Sequence, residues 1–149
     1  MGLIDKSGQL VEVMTLGTPR FNHKYDYEIL RLCNLSGYRV IGGASKLLRY
    51  FIDKYGARHI VSYCSLDKFS GEVYKKIGMK ETGMSEPGYI WTNSRSTSVV
   101  SRYQVQKREL VKNGFGDETE TEDEIMRGLH YLKVYNAGNK VFELELEDN

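Results

Sequence analysis

Apolar and polar positions alternate through Gly8-Gln9-Leu10-Val11-Glu12-Val13-Met14-Thr15-Leu16, and Gly17-Thr18-Pro19 closes the run, a pattern that predicts a strand. A second strand is expected over residues 25–35, where Tyr27, Ile29 and Leu32 carry the apolar weight. After a turn at Ser36-Gly37 the period changes. Leu47, Leu48, Phe51, Ile52 and Tyr55 recur at helical spacing, which predicts an amphipathic helix over 44–55 with Lys46, Arg49, Asp53 and Lys54 outward and Gly56 as its C-terminal cap. His59-Ile60-Val61-Ser62-Tyr63-Cys64-Ser65 is short, β-branched and bounded by polar turns, so it reads as a buried strand. Residues 70–77 read as a short helix with Val73, Tyr74 and Ile77 on one face, stopped by Gly78.

Further along, Glu86-Pro87-Gly88 marks a tight turn before Tyr89-Ile90-Trp91. A basic amphipathic helix is expected over 102–112 and another over 120–129, acidic at its start where carboxylates suit the helix dipole. Residues 131–135 and 140–144, flanking Asn136-Ala137-Gly138-Asn139, predict a C-terminal β-hairpin. No linker or repeat interrupts the pattern. The expectation is one α/β (α+β) domain spanning 1–149.

Composition changes this picture little. A 149-residue chain that is 40% apolar and 28% charged can build one core unaided. Cys33 and Cys64 both lie in apolar stretches and read as buried thiols rather than a disulfide or metal pair, which fits a reducing cytoplasm. No segment approaches the ~20 apolar residues that span a bilayer, and no basic start precedes an apolar run, so neither membrane nor export is expected. His23, His59 and His130 match no metal or triad spacing, and no metal is expected. The net charge of +1 conceals an asymmetry: residues 1–112 hold 18 Lys/Arg against 10 Asp/Glu, and residues 113–149 hold 3 against 10. The basic part could attract coenzyme A phosphates or nucleic acid; alternatively the two parts neutralise each other in the fold.

The most informative chemistry is the glycine turn that opens helix 44–55. A glycine-rich helix start leaves backbone N–H groups at the positive end of the dipole, a ready place for a diphosphate, although Gly42-Gly43 alone lacks the spacing of a dinucleotide or Walker loop. Residues 28–83 resemble the GNAT family of coenzyme A-dependent N-acyltransferases on two motifs. Arg39-Val40-Ile41-Gly42-Gly43-Ala44 fits the family's R/Q-x-x-G-x-G/A loop. Asp67-Lys68-Phe69-Ser70-Gly71-Glu72-Val73-Tyr74-Lys75-Lys76-Ile77-Gly78-Met79 follows its N-x-x-A-x-x-L-Y-x-K-x-G-F run, with Asp67, Ser70 and Met79 as departures. The resemblance implies that the backbone of residues 40–45 (Val40, Ile41, Gly42, Gly43, Ala44, Ser45), with Arg39, holds the diphosphate of acetyl-CoA or another acyl-CoA, and that Asp67 stands where the family has a cofactor contact. It implies too a GNAT-like mixed, mostly antiparallel sheet splayed between strands 25–35 and 59–65, with helix 44–55 across one face, and that Tyr74 protonates the departing thiolate. Glu28, fourteen residues before Gly42, is spaced like the family's catalytic base. Tyr74 as a plain core aromatic, Arg39 as a solvated turn residue and Glu28 as a surface carboxylate remain the alternatives.

From Phe21 onward the chain is also similar to a domain at the C-terminal end of phage homing endonucleases of the Hef-like group. The similarity rests on Tyr25-Asp26-Tyr27-Glu28-Ile29-Leu30-Arg31, Val40 to Leu47, Ser101-Arg102-Tyr103-Gln104, Glu122-Asp123-Glu124-Ile125-Met126 and Lys133 to Asn139. It implies a phage-encoded protein acting in the host cytoplasm. In that group the nuclease chemistry lies in a separate domain, and this chain has no carboxylate cluster with Lys and no His-Asn-His arrangement to replace it. Two functions follow: an acyltransferase modifying an amine on a nucleic acid or protein, or a non-catalytic DNA-binding accessory module. For the second, Arg95, Arg102, Lys107, Arg108 and Lys112 would meet phosphates, and Tyr89, Trp91 and Tyr103 would stack on bases; a basic helix simply packed on the sheet is the alternative.

Overall fold

Along residues 1–147, which the computed structural model describes, the elements run β1 (Gly2–Ile4), β2 (Leu10–Gly17), β3 (Tyr27–Asn34), α1 (Gly43–Tyr55), β4 (His59–Ser65), α2 (Glu72–Lys76), β5 (Lys80–Met84), β6 (Tyr89–Asn93), β7 (Val99–Ser101), α3 (Lys107–Lys112), α4 (Glu122–Gly128), β8 (Tyr131–Tyr135) and β9 (Asn139–Glu145). They form two units, one built from the chain up to Ser85 and again from Asn139, the other from Glu86–Gly138. No helix of the described residues is long and apolar enough to cross a membrane.

The first unit is a six-stranded sheet in the order β1-β2-β3-β4-β9-β5. All its pairings are antiparallel except that of β3 with β4. It is a mixed, mostly antiparallel sheet, as expected. β3 and β4 meet in only three rungs, Tyr27↔Ile60, Glu28↔Val61 and Ile29↔Ser62. β3 stays paired with β2 as far as Asn34. Beyond Ile29 the two parallel strands part, as expected, and among the described residues the backbone of 30–34 has no strand on its β4 side.

Helix α1 covers one face because its apolar stripe is continuous: Leu47, Leu48 and Phe51 pack with Met14, Ile29, Ile60, Cys64 and Phe142. Each such side chain contributes roughly 1.5–3 kcal/mol on burial. The helix ends where the sequence says, at Gly56, whose left-handed backbone (φ 63°) turns its N–H onto Ile52 O at 2.9 Å. Gly71 (φ 81°) lets α2 start against the core, since a Cβ there would meet the Phe142 ring at 2.5 Å. On the opposite face, residues between β2 and β3 lie over the sheet: Arg20 grips Glu28, Phe21 sets its ring edge-on to Tyr63 at 5.4 Å, and the Tyr25 hydroxyl donates to Glu143.

The second unit is a three-stranded antiparallel sheet, β7-β6-β8, packed with α3 and α4 around Trp91, Leu110, Ile125 and Met126. A capping box fixes the start of α4. Thr121 Oγ1 accepts the Glu124 N–H at 3.2 Å while Glu124 Oε2 accepts the Thr121 N–H at 2.7 Å.

Three expectations are corrected here. The C-terminal hairpin does not form: β8 pairs with β6, and β9 pairs with β4 and β5, so Asn136-Ala137-Gly138 joins two sheets instead of turning one strand back on the other. The helix expected from 102 begins at Lys107, because Gln104 Oε1 takes the Ser101 N–H at 2.9 Å and folds residues 101–104 into a turn. Cys33 is exposed, unlike Cys64, because Leu32 takes the inward phase of β3 and Cys33 the outward one. The second unit is spliced into the first at a pinned pair of residues: the Ser85 N–H donates to Asn139 O at 2.8 Å, and the Asn139 N–H to Ser85 Oγ at 3.1 Å.

Candidate functional site

The fork between β3 and β4 opens beside a cavity of about 590 Å³. Leu32 and Asn34 line it from β3, residues 39–45 from the loop and the start of α1, Val73, Lys76 and Ile77 from α2, and Glu12 from β2. Arg39, Val40, Ile41, Gly42, Gly43, Ala44 and Ser45 are thus brought together on one wall, as the glycine-turn reading requires. Gly42 is the residue before the helix, in the left-handed region (φ 73°), with open space where a Cβ would be. The intrahelical ladder starts with the Lys46 N–H on Gly42 O at 3.0 Å. The N–H groups of Gly42, Gly43, Ala44 and Ser45 therefore precede the first intrahelical donor, and the positive end of a thirteen-residue helix faces the cavity. Asp67 is not part of this wall; it is exposed in the turn after β4.

Tyr74 is one residue from Val73 on α2. Its ring lies against Phe142, centroids 5.1 Å apart, and its hydroxyl meets Ser62. Ser62 is fully buried and its own hydroxyl donates to Ile29 O at 3.2 Å. Ile29↔Ser62 is the last parallel rung, so the Tyr74 hydroxyl stands where the two strands separate. Burial pushes its phenol above the ordinary tyrosine range, and the Ser62 contact draws it back only in part. At neutral pH it holds its proton.

Glu28 does not fit the base role. It lies on the face away from α1, is fully buried, and accepts from Arg20 three times: Nε at 2.9 Å and Nη2 at 2.5 Å on Oε1, and the backbone N–H at 2.8 Å on Oε2. A buried carboxylate that holds three of its four lone pairs on Arg20 is committed to that ion pair rather than to a base's work, and it fastens the segment before β3 to the sheet.

Glu12 is the residue that sequence reading misses. It is 4% exposed, and its Oε2 has no hydrogen-bond partner. Burial raises its carboxyl above the usual range. A Cβ on Gly43 would overlap that oxygen, so glycine at 43 is what lets the carboxyl lie against the helix start. One signal was present: alternation puts Glu12 in phase with core residue Met14, a charged side chain on an apolar face. Lys76, Leu32 and Asn34 carried no such mark.

A wider hollow of about 770 Å³ lies beside Asp26 and Tyr55. There the carboxylate already accepts the backbone N–H groups of Arg58 and His59, both at 2.8 Å, and these bonds hold its carboxyl below the usual range. It ties two chain segments together and offers less chemistry than the cavity at the fork.

In the second unit, the stacking surface is corrected at Tyr89 and Trp91, while Tyr103 is exposed. Trp91 is fully buried, donating from Nε1 to Glu122 at 3.3 Å, and the Tyr89 hydroxyl donates to the same oxygen at 3.0 Å. The Lys133 ammonium covers both rings, 4.5 and 4.8 Å from their centroids, and pairs with Asp123 at 2.9 Å. Lys107 is drawn to the acidic segment, donating to Glu118 O at 2.8 Å. Arg102 stands over Tyr103 at 4.9 Å, and Arg108 and Lys112 are exposed on α3.

No protein-family model matches the chain, and a search of the curated proteins finds no match.

Proposed function

We propose that the protein is a coenzyme A-dependent N-acyltransferase of the GNAT type, transferring an acyl group to an amine. One observation carries the reading: a parallel strand pair that parts after three rungs beside a cavity walled by the glycine-capped start of α1, with the Tyr74 hydroxyl on Ser62 of the last rung. The residues fit an acyl-CoA. Free N–H groups at residues 42–45 suit a diphosphate, Arg39 and Lys76 offset its charge, and the unpaired edge of β3 offers backbone partners to an amide-bearing arm. The acyl-CoA brings a thioester, in which an acceptor amine replaces sulfur: a C–N bond forms as the C–S bond breaks. Tyr74 gives its phenolic proton to the departing sulfur and regains one from solvent, which also receives the proton lost by the amine.

The test is ligand-dependent stabilisation. Acetyl-CoA is expected to raise the melting temperature, by about 2.7 kcal/mol of stabilisation at a hundred times its Kd. Gly42→Glu removes that increment because it sets an anion on the helix start. The left-handed backbone at 42 costs a side chain about 1–2 kcal/mol by itself, so the quantity compared is the ligand-induced increment within each protein. No increment in the wild type at millimolar acetyl-CoA rules the reading out.

The accessory-module reading keeps Arg102, Arg108 and Lys112 as phosphate contacts and Tyr103 as an exposed ring, but loses Trp91, which is enclosed, and Lys107, which is engaged. If it holds, duplex DNA affinity falls with salt, and Arg108→Ala with Lys112→Ala flattens the logarithmic slope by about two. A wild-type chain that fails to bind DNA at low ionic strength ends that reading.

A further inference from the structure

Two features of the cavity conflict on their face. Its cations and helix end suit an anion, yet a carboxyl group occupies the wall beside Gly43, 4% exposed and with Oε2 unpartnered. Ionised, that group leaves a charge without a donor and would repel a phosphate; protonated, it holds a donor that lacks an acceptor within the protein. A ligand oxygen resolves the second case.

We infer that Glu12 is a ligand-contacting residue that enters the occupied site as a neutral carboxyl and donates its proton to a diphosphate oxygen. This rests on the reading of the cavity as an acyl-CoA site. The groups around the carboxyl set the sign of the coupling. β1 (Gly2–Ile4) brings no titratable side chain, β3 faces the cavity with Leu32 and Asn34, and α1 with Gly43, Ala44 and Ser45; the loop brings Arg39 and α2 brings Lys76. Lys46 lines a neighbouring hollow with Gly42 and Ser45. In the free protein burial holds the carboxyl above its usual range. A bound diphosphate spends the cations' charge on itself and adds negative charge beside Glu12, so the balance moves to the neutral form. Ligand and proton bind together: where Glu12 is ionised in the free protein, each ligand bound takes one proton from solvent.

Dephospho-coenzyme A is the probe, because it has a diphosphate but no terminal phosphate to titrate between about pH 6 and about pH 8. Titration calorimetry in two buffers of different ionisation heat is expected to show proton uptake by the wild type, with affinity falling by up to about tenfold per pH unit. Glu12→Gln, a permanent donor of the same size, is expected to bind without proton uptake, with flat pH dependence and at least wild-type affinity at pH 8. Glu12→Leu fills the same space without a donor and is expected to bind more weakly than Glu12→Gln. Wild-type binding with no proton uptake, together with Glu12→Leu binding as tightly as Glu12→Gln, overturns the inference alone. So does Glu12→Gln weakened at every pH, which would mean that the carboxylate accepts a ligand N–H. A wild type that binds no probe at any pH overturns the acyl-CoA reading and this inference together.

Discussion

Replacing Tyr74 by Phe is expected to lower turnover about 10- to 1000-fold, the scale of one general acid, while the affinity for acetyl-CoA holds. The variant keeps the ring that packs on Phe142 and loses only the hydroxyl beside Ser62. Because burial raises the phenol, the acid form persists through neutral pH and beyond the ordinary tyrosine value of about 10, so the wild-type rate should decline only on the far alkaline side. Tyr74→Phe should lack that decline. Steady-state kinetics over pH, with acyl-CoA affinity measured separately, decide the matter: unchanged kcat would make Tyr74 a packing residue.

The largest expected stability effect lies on the opposite face. Arg20→Ala leaves Glu28 fully buried with a single backbone donor in place of three bonds. Breaking a buried pair costs about 3–5 kcal/mol, but Arg20 is 56% exposed and water can take part of its place, so about 2–3 kcal/mol is expected. Denaturant titration reads it. Adding Glu28→Gln to Arg20→Ala should restore part of the loss, since the uncompensated charge is then gone. A loss under about 0.5 kcal/mol for Arg20→Ala would show that the guanidinium is dispensable.

What was legible in the sequence was local. Strand, glycine loop, helix and strand over residues 25–65 could be read because period and punctuation agree within each element, and the wall at residues 39–45 followed from chain order alone. The pairing of β9 with β4 and β5 was not, because Asn139 and Ser65 are neighbours only across a long stretch of chain, and two β-rich runs around Asn136-Ala137-Gly138 look locally like a hairpin. Trp91 could not be told from an exposed aromatic, since its cover comes from α3 and α4. Glu28 next to Tyr27 and Ile29 gave no sign of Arg20, which reaches it from the segment preceding β3. Glu12 was in plain view as a charge in phase with the core residue Met14, but its meaning depends on Gly43, a residue brought to it by α1.

The paired bonds between Ser85 and Asn139 have an evolutionary reading. They close the β5–β9 connection at its neck, so whatever lies between can be exchanged, lengthened or lost without altering the register of Lys80↔Glu143 or Met84↔Lys140. The chain is thus arranged as a host with a cassette: the fork and its glycine loop belong entirely to the host, and residues 86–138 leave and rejoin it at one bonded pair.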